Sequence, residues 1–361
     1  MFLRHLTLKN FRNYTALDID FDQNAYLFIG DNGNGKTNLM EAIYLLSFGK
    51  SFRKSPDHAI INHNADNYQV AGIFNDEYSQ KKILIQADKK QKKQVFLNNK
   101  KISALSHMIG QINTILFSQK DMELIQGQPV LRRNFFNMLL SFLYKEYLLL
   151  LQRYQKTLKQ RNAILKNRNT DLLNTWDHEI AQLGLQLSLK RLDFMKHFQK
   201  KFLSIMKKLG LEQDTFCISY QSSYQKTGLD LESIKKLYYT HREKELSIAS
   251  TIFGPHRDEF LLYLNKYKLR DFGSLGQMKL AALGLKLSQL ACLKANNCDS
   301  FIFLLDDVLL ELDNKRKSCF FSYLPDDAQY FITTTDNKYS NFLNKSIIRY
   351  HVIDGTVRNG K

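Results

Sequence analysis

The sequence predicts an α/β fold in which one domain is split by a mostly helical insertion. Three observations predict it. A short apolar strand, Ala25–Ile29, runs into a glycine-rich loop and an amphipathic helix. A second apolar run, Phe301–Asp307, ends in two carboxylates. Between them, from about Pro129 to Gly210, apolar residues recur at helical spacing instead of alternating.

Taken in order, "FLRHLTLKNF" and "YTALDIDF" alternate like two antiparallel strands. "AYLFI" (Ala25–Ile29) is the strand before the loop. "TNLMEAIYLLSF" (Thr37–Phe48) is the helix after it, with Leu39, Ile43 and Leu46 on one face. "YQVAGIF", "KILIQA" and "QVFLNN" read as a β-meander, and "NTILFS" (Asn113–Ser118) as another buried strand. Then the period changes. Tyr147, Leu151, Tyr154, Leu158 and Leu165 form one stripe. Ile180, Leu183, Leu187, Phe194, Phe198, Phe202 and Ile205 form a second. Two antiparallel helices fit, as a protruding coiled coil or as a packed lobe; the spacing leaves both open. From about Phe216 strands return, with "FIFLLDD" and "YFITTTD" (Tyr330–Asp336) as buried ones. The expected organisation is a head at 1–120 and 251–361 around a helical arm lobe at 121–250.

Gly30-Asp31-Asn32-Gly33-Asn34-Gly35-Lys36-Thr37 fits G-x-x-x-x-G-K-[ST] at every position. Glycines let successive N–H groups converge on phosphate oxygens. Lys36 brings a positive charge to the β- and γ-phosphates, and Thr37 a hydroxyl to Mg²⁺. The helix from Thr37, with Asn38 in its first turn, faces the phosphates with its N-terminus. ATP and Mg²⁺ are the cofactors this predicts. At the end of "FIFLLDD", Asp306 can support Mg²⁺ and Asp307 can orient or deprotonate a water. Lys36 and Asp307 are therefore the expected catalytic pair, with Thr37 and Asp306 at the metal. Ser274-Leu275-Gly276-Gln277 opens a long apolar helix and forms a second anion site. Two phosphate sites in one chain make sense if Ser274, Gly276 and Gln277 serve the nucleotide of a second copy.

Composition narrows the class. The chain of 361 residues is 44% hydrophobic and 24% charged, as in a globular protein with a large core. Nothing in "MFLRHLTLKNFRN" resembles a signal peptide, and "LLSFLYKEYLLLL" is broken by Lys145 and Glu146. A cytoplasmic protein without a membrane partner is expected. Cys217, Cys292, Cys298 and Cys319 lack metal-site spacing and read as reduced thiols. The net charge of +17 favours a polyanion, nucleic acid first. Runs such as "DKKQKKQ" also fit solvated hairpin tips.

Further motifs carry a resemblance. "LTLKNFRNY" (Leu6–Tyr14), "GKSFRKS" (Gly49–Ser55), "GQPVLRRNFF" (Gly127–Phe136) and "GPHRDEF" (Gly254–Phe260) occur in this order. With the loop, the Ser-x-Gly-Gln signature and the Asp-Asp strand end, they cover the whole chain. The sequence resembles the RecF family, related to SMC proteins and ABC ATPases. The resemblance implies an ABC/SMC-type P-loop ATPase head with an inserted arm. It also implies an ATP-dependent homodimer on double-stranded and gapped DNA. RecR- and RecO-like mediators would be its partners in RecA loading. Arg12 or Asn13 would lie near the adenine or ribose, Gln119 would sense the γ-phosphate, and Asp313 would lie in the loop that meets the partner copy. DNA phosphates would be met by Lys81, Lys82, Lys89, Lys90, Lys92 and Lys93, by Arg132 and Arg133, and by lysines of the arm. His256 and Arg257 fit a structural cluster equally well.

The sequence departs from the family at Gln119-Lys120, Asn137, Leu275 and Leu310. Asp307 is shorter than the glutamate usual in ABC ATPases, and "FITTTD" has no histidine at its end. Both imply slow hydrolysis. The rival readings are an ATP-gated DNA scaffold with little hydrolysis, an ABC transporter subunit and an SMC-type tether. A transporter subunit has little use for the helical lobe. A tether needs a far longer insertion than about residues 129–210 can provide.

Overall fold

The computed structural model describes residues 1–76, 78–90, 93–168, 170–211, 214–296, 300–308, 313–335 and 346–360. Leu310, Lys92, Cys298 and Asp336, named above, lie outside the described residues. The chain divides into two compact units, Met1–Gln119 with Asn297–Lys361, and Lys120–Asn296. The segment 251–296, expected with the head, falls in the second unit because its strand and helix find their partners there.

The first unit holds two sheets. In the antiparallel one, β1 (Phe2–Phe11), β2 (Tyr14–Asp20), β4 (Asn67–Asn75), β5 (Gln80–Asp88), β6 (Gln94–Leu97) and β7 (Lys100–Lys101) run in the order β2-β1-β4-β5-β6-β7. The meander read from the sequence is therefore present as β4-β5-β6, and β1 joins it between β2 and β4. Its strands alternate because one face is packed: Leu6, Leu8, Val70, Ile83 and Ile85 share a core with Leu39, Ile43 and Leu46.

The second sheet runs β15-β14-β3-β13-β12-β8. It comprises β3 (Ala25–Ile29), β8 (Thr114–Ser118), β12 (Ile302–Asp306), β13 (Gln329–Thr334), β14 (Ile348–Ile353) and β15 (Thr356–Gly360). From β14 to β8 neighbours pair in parallel; β15 is antiparallel to β14. β3, β8, β12 and β13 are buried at every position, which explains the apolar runs at their centres. The helix α1 (Lys36–Phe48) packs on β12 and on the antiparallel sheet.

The second unit comprises α2 (Glu123–Gln126), α3 (Pro129–Leu143), α4 (Lys145–Lys166), α5 (Leu173–Lys208), α6 (Leu231–Thr240), α7 (Arg242–Ile248), α8 (Leu269–Phe272) and α9 (Leu275–Lys294), with β9 (Phe216–Gln221), β10 (Glu259–Leu264) and β11 (Tyr267–Lys268). β10 pairs with β9, and α9 lies along α5. The predicted stripe from Ile180 to Ile205 is buried along α5, which packs on α4, α6, α9 and β9. A helix covered by four elements belongs to a packed lobe, which decides between the two arrangements. On α4 the stripe departs from expectation. Leu158 is half-buried, and Thr157 and Arg161 take the inward positions. Arg161 is fully buried and bonds Asp177, Glu245 and the Thr251 hydroxyl.

Candidate nucleotide site

The parallel register brings the strand ends together. Thr334 pairs with Ile29, Thr333 with Asp306, and Asp306 with Ser118. Gly30, Asp307 and Gln119 therefore leave the sheet at its carboxyl end, the edge at which open α/β sheets take ligands.

The loop after β3 is shaped for phosphate. Gly33 and Gly35 have φ of +94° and +110°, which an L side chain resists. Asp31, Asn32 and Gly33 are exposed, while Gly35 and Lys36 are buried at the start of α1. The Lys36 ammonium donates to the carbonyls of Gly30 at 2.7 Å and Asp31 at 3.2 Å, so the amine curls over the loop it would serve. Thr37 donates to Asp306 Oδ1 at 2.9 Å, and Thr333 donates to the same oxygen at 2.9 Å. A hydroxyl beside a carboxylate is the hard-oxygen pair that suits Mg²⁺. Burial pushes the Asp306 carboxyl up from its ordinary value; the Thr333 and Thr37 hydroxyls pull it part of the way back.

Asp307 takes φ of +54°, unusual for a residue with a Cβ. Its amide donates to Thr333 Oγ1 at 3.1 Å, and among the described residues its buried Oδ1 has no hydrogen-bond partner. An unpartnered buried carboxylate oxygen suits a water or a ligand. The donor set, the glycine cradle and this open acceptor fit a Mg²⁺-bound triphosphate.

Around the loop stands a frame that sequence reasoning largely missed. Glu41 is a fully buried carboxylate. Arg12 grips it at 2.7 and 3.0 Å, Ser51 donates to it, and Arg53 lies 3.7 Å away. Arg53 also donates to Asn38 Oδ1 at 2.9 Å. Arg12 further donates to the Ala59 carbonyl and the Ser55 hydroxyl. Asn38 donates to Asn13, and Asn13 to the Asn34 carbonyl. The available signal was Glu41 itself, a charge within an otherwise apolar helix face that must find a partner. Gln119 is exposed immediately after β8.

In the second unit, Ser274 and Gln277 form a capping box. Gln277 N donates to Ser274 Oγ at 3.2 Å, and Ser274 N to Gln277 Oε1 at 2.9 Å. Gln277 also donates to Asp214. Among the described residues a Cβ on Gly276 would meet nothing within 4 Å, and Leu275 is 58% exposed. Asp313, in the first unit, caps the helix α10 (Asn314–Tyr323) by accepting from Arg316 N.

"GPHRDEF" is a structural hub. Asp258 is fully buried and accepts from Arg191, Tyr220 and the Ser223 amide. His256 bonds the Tyr154 hydroxyl and the Thr251 carbonyl, and burial pushes its imidazole down to about 4. Arg257 is exposed. Arg132, expected at DNA, is 3% exposed and bonds Glu259 and the Gly127 carbonyl, so it is not free to meet phosphate. Arg133 donates to the Asp258 carbonyl. Among the candidate lysines, Lys89 pairs with Asp66, Lys93 with Asp57, and Lys81 donates to the Gln111 carbonyl. Lys82 and Lys90 are exposed. Among the described residues no helix is long and apolar enough to cross a membrane.

The model of the RecF/RecN/SMC N-terminal domain matches residues 2–357. The DNA replication and repair protein RecF of Clostridium kluyveri is 36% identical over 342 residues, 93% of each chain. That of Bacillus cytotoxicus is 34% identical, over 99% of this chain and 98% of the relative. The recombination mediator protein RecF with ATP, of the RecFOR pathway, superposes with a TM-score of 0.90 at 29% identity, covering 100% of this chain and 98% of that one. An Smc head bound to the C-winged helix domain of ScpA has a TM-score of 0.57 at 14% identity over 100% of this chain and 97% of that one, and shares the fold alone. The chain belongs to the RecF family, with an ATPase head of the ABC/SMC type.

Proposed function

We propose that this protein is an ATP-dependent DNA-binding protein of recombinational repair and replication-fork maintenance. It acts in the cytoplasm as an ATP-driven homodimer on double-stranded and gapped DNA. With RecO- and RecR-like partners it promotes RecA loading. The observation that carries the reading is the Thr37–Asp306 hydrogen bond at 2.9 Å, which joins the phosphate loop to the carboxylate strand. Similarity over nearly the whole chain to RecF proteins, one of them solved with ATP, supports it.

In this reading Gly30 to Asn38 hold the triphosphate through loop amides, the Lys36 ammonium and the first turn of α1. Thr37 and Asp306 hold Mg²⁺. Mg–ATP, when bound, supplies the γ-phosphoryl group for hydrolysis. Asp307 takes a proton from the attacking water through the oxygen left open in the fold. Ser274, Gly276 and Gln277 meet the nucleotide of the second copy, for which the open space at Gly276 leaves room. Hydrolysis is slow, because the Asp307 carboxylate reaches less far than a glutamate. DNA is met by phosphate contacts, so binding is independent of sequence and falls with salt.

The test is binding to a double-stranded oligonucleotide with and without ATP–Mg²⁺, beside Lys36→Arg. Binding that appears with ATP, accompanies dimer formation and is lost in the variant is the expected result. Nucleotide binding without DNA binding at low salt refutes the DNA reading.

A further inference from the structure

The loop between β3 and α1 is held from outside by two turns far apart in sequence. The Asn34 carbonyl accepts from Asn13 Nδ2 at 3.0 Å and from the Gly355 amide at 3.0 Å. The Asn34 side chain donates to the Val352 carbonyl at 3.2 Å, across 318 positions. One residue on, the Gly35 carbonyl accepts from the Tyr14 hydroxyl at 3.1 Å.

Peptide groups are planar and trans, so a carbonyl fixed on one side fixes the next N–H on the other. Binding the carbonyls of Asn34 and Gly35 to these outer partners therefore turns the N–H groups of Gly35 and Lys36 away from them. Those two donors open α1, where the helix supplies no acceptor. The brace fits closely. A Cβ on Gly355 would lie 2.2 Å from the Asn13 carbonyl oxygen, and one on Gly30 2.3 Å from the Val352 oxygen. Asp354 and Gly355 take φ of +45° and +74°, as a two-residue turn between β14 and β15 requires. Both polar ends of the Asn13 side chain are occupied, the Nδ2 by Asn34 and the Oδ1 by Asn38.

We propose that Asn13 and the Asp354–Gly355 turn are positioning residues for triphosphate binding, and that the hairpin β14–β15 sets nucleotide affinity by orienting the loop amides. This rests on the ATP-binding reading above. It makes the effect independent of the base, whereas an Asn13 placed beside adenine or ribose would act only on the nucleoside.

The experiment titrates wild type, Asn13→Ala and Gly355→Ala with Mg–ATP and with Mg–tripolyphosphate by calorimetry. Thermal unfolding of each ligand-free protein runs alongside. Asn13→Ala should weaken both ligands by the same factor, about tenfold, with the ligand-free midpoint within about 2 °C of wild type. Gly355→Ala should weaken both further. If Gly355→Ala does not fold, Tyr14→Phe, which removes the donor to Gly35, takes its place with the same expectation. Unchanged tripolyphosphate affinity in the variants overturns the proposal, as does a loss confined to ATP. If wild type binds neither ligand, the ATP-binding reading itself falls, and this one with it.

Discussion

Thr37 donates its hydroxyl to Oδ1 of Asp306 at 2.9 Å, tying the first turn of α1 to the end of β12. The bond sets a hydroxyl beside a buried carboxylate, the oxygen pair that the proposed reading gives to Mg²⁺.

That carboxylate has a measurable cost. A carboxyl raised on folding favours the native state below its unfolded pKa and loses that contribution as pH rises through its folded pKa. Burial raises Asp306 in this way, so at neutral pH its ionised form opposes folding. Asp306→Asn should raise the ligand-free melting temperature by about 2–4 °C, the equivalent of ~1 kcal/mol. If Asp306 holds Mg²⁺ as proposed, Mg–ATP should stabilise wild type more than ATP with EDTA does, and the variant equally with both. A lower ligand-free midpoint would contradict the assignment.

In the proposed reading, Asp307→Asn keeps the shape and removes the base. Turnover of ATP should fall by about 10²-fold or more, with Mg–ATP affinity close to wild type. Single-turnover hydrolysis beside equilibrium binding separates the two. Undiminished turnover would move the base elsewhere.

Arg161 supports the lobe through buried polar partners. Its guanidinium lies 2.7 Å from Asp177 and bonds Glu245, which is fully buried. Arg161→Met should destabilise by about 3–5 kcal/mol, because Glu245 is left as an uncompensated buried charge. Glu245→Gln in the same chain should recover part of the loss. Denaturant unfolding of the single and double variants measures it, and strictly additive losses would argue against the pair.

His256 predicts an acid-labile lobe. Its folded pKa of about 4 lies below the ordinary 6.5. The unfolded chain therefore binds the proton first, and stability falls as pH drops from about 6.5 towards 4. Urea midpoints should decline across that window in wild type and more gently in His256→Gln. Parallel slopes would assign the acid sensitivity to another group.

The head was legible because its signals are local. The strand Ala25–Ile29 and the loop and helix beyond it obey period and motif, and burial on both faces gives β12 and β13 apolar centres without alternation. The hairpin β14–β15 carried a readable signal in Asp354-Gly355, a turn pair between two alternating strands, and was missed. Glu41 with its two arginines was missed for a deeper reason. The partners come from β1–β2, α1 and the segment after it, and no spacing rule joins them. The lobe's inward face misled the stripe at Leu158 because Thr157 and Arg161 are buried through polar partners, which apolar periodicity does not register. The family resemblance placed Arg132 at DNA by residue type, and only packing reveals its burial against Glu259.

β3, which begins at Ala25, hydrogen-bonds to β13 and β14, which begin at Gln329 and Ile348. On a ribosome, chains are made from the N-terminus, and units fold as their residues emerge. The unit Lys120–Asn296 is contiguous and can fold while the chain is still growing. The phosphate loop is synthesised before the lobe, yet among the described residues the strands that flank β3 in its sheet are made only after the lobe. A nascent or prematurely terminated chain would therefore carry a folded lobe and an unformed nucleotide loop. A response to ATP would wait until β13 and β14 have been made.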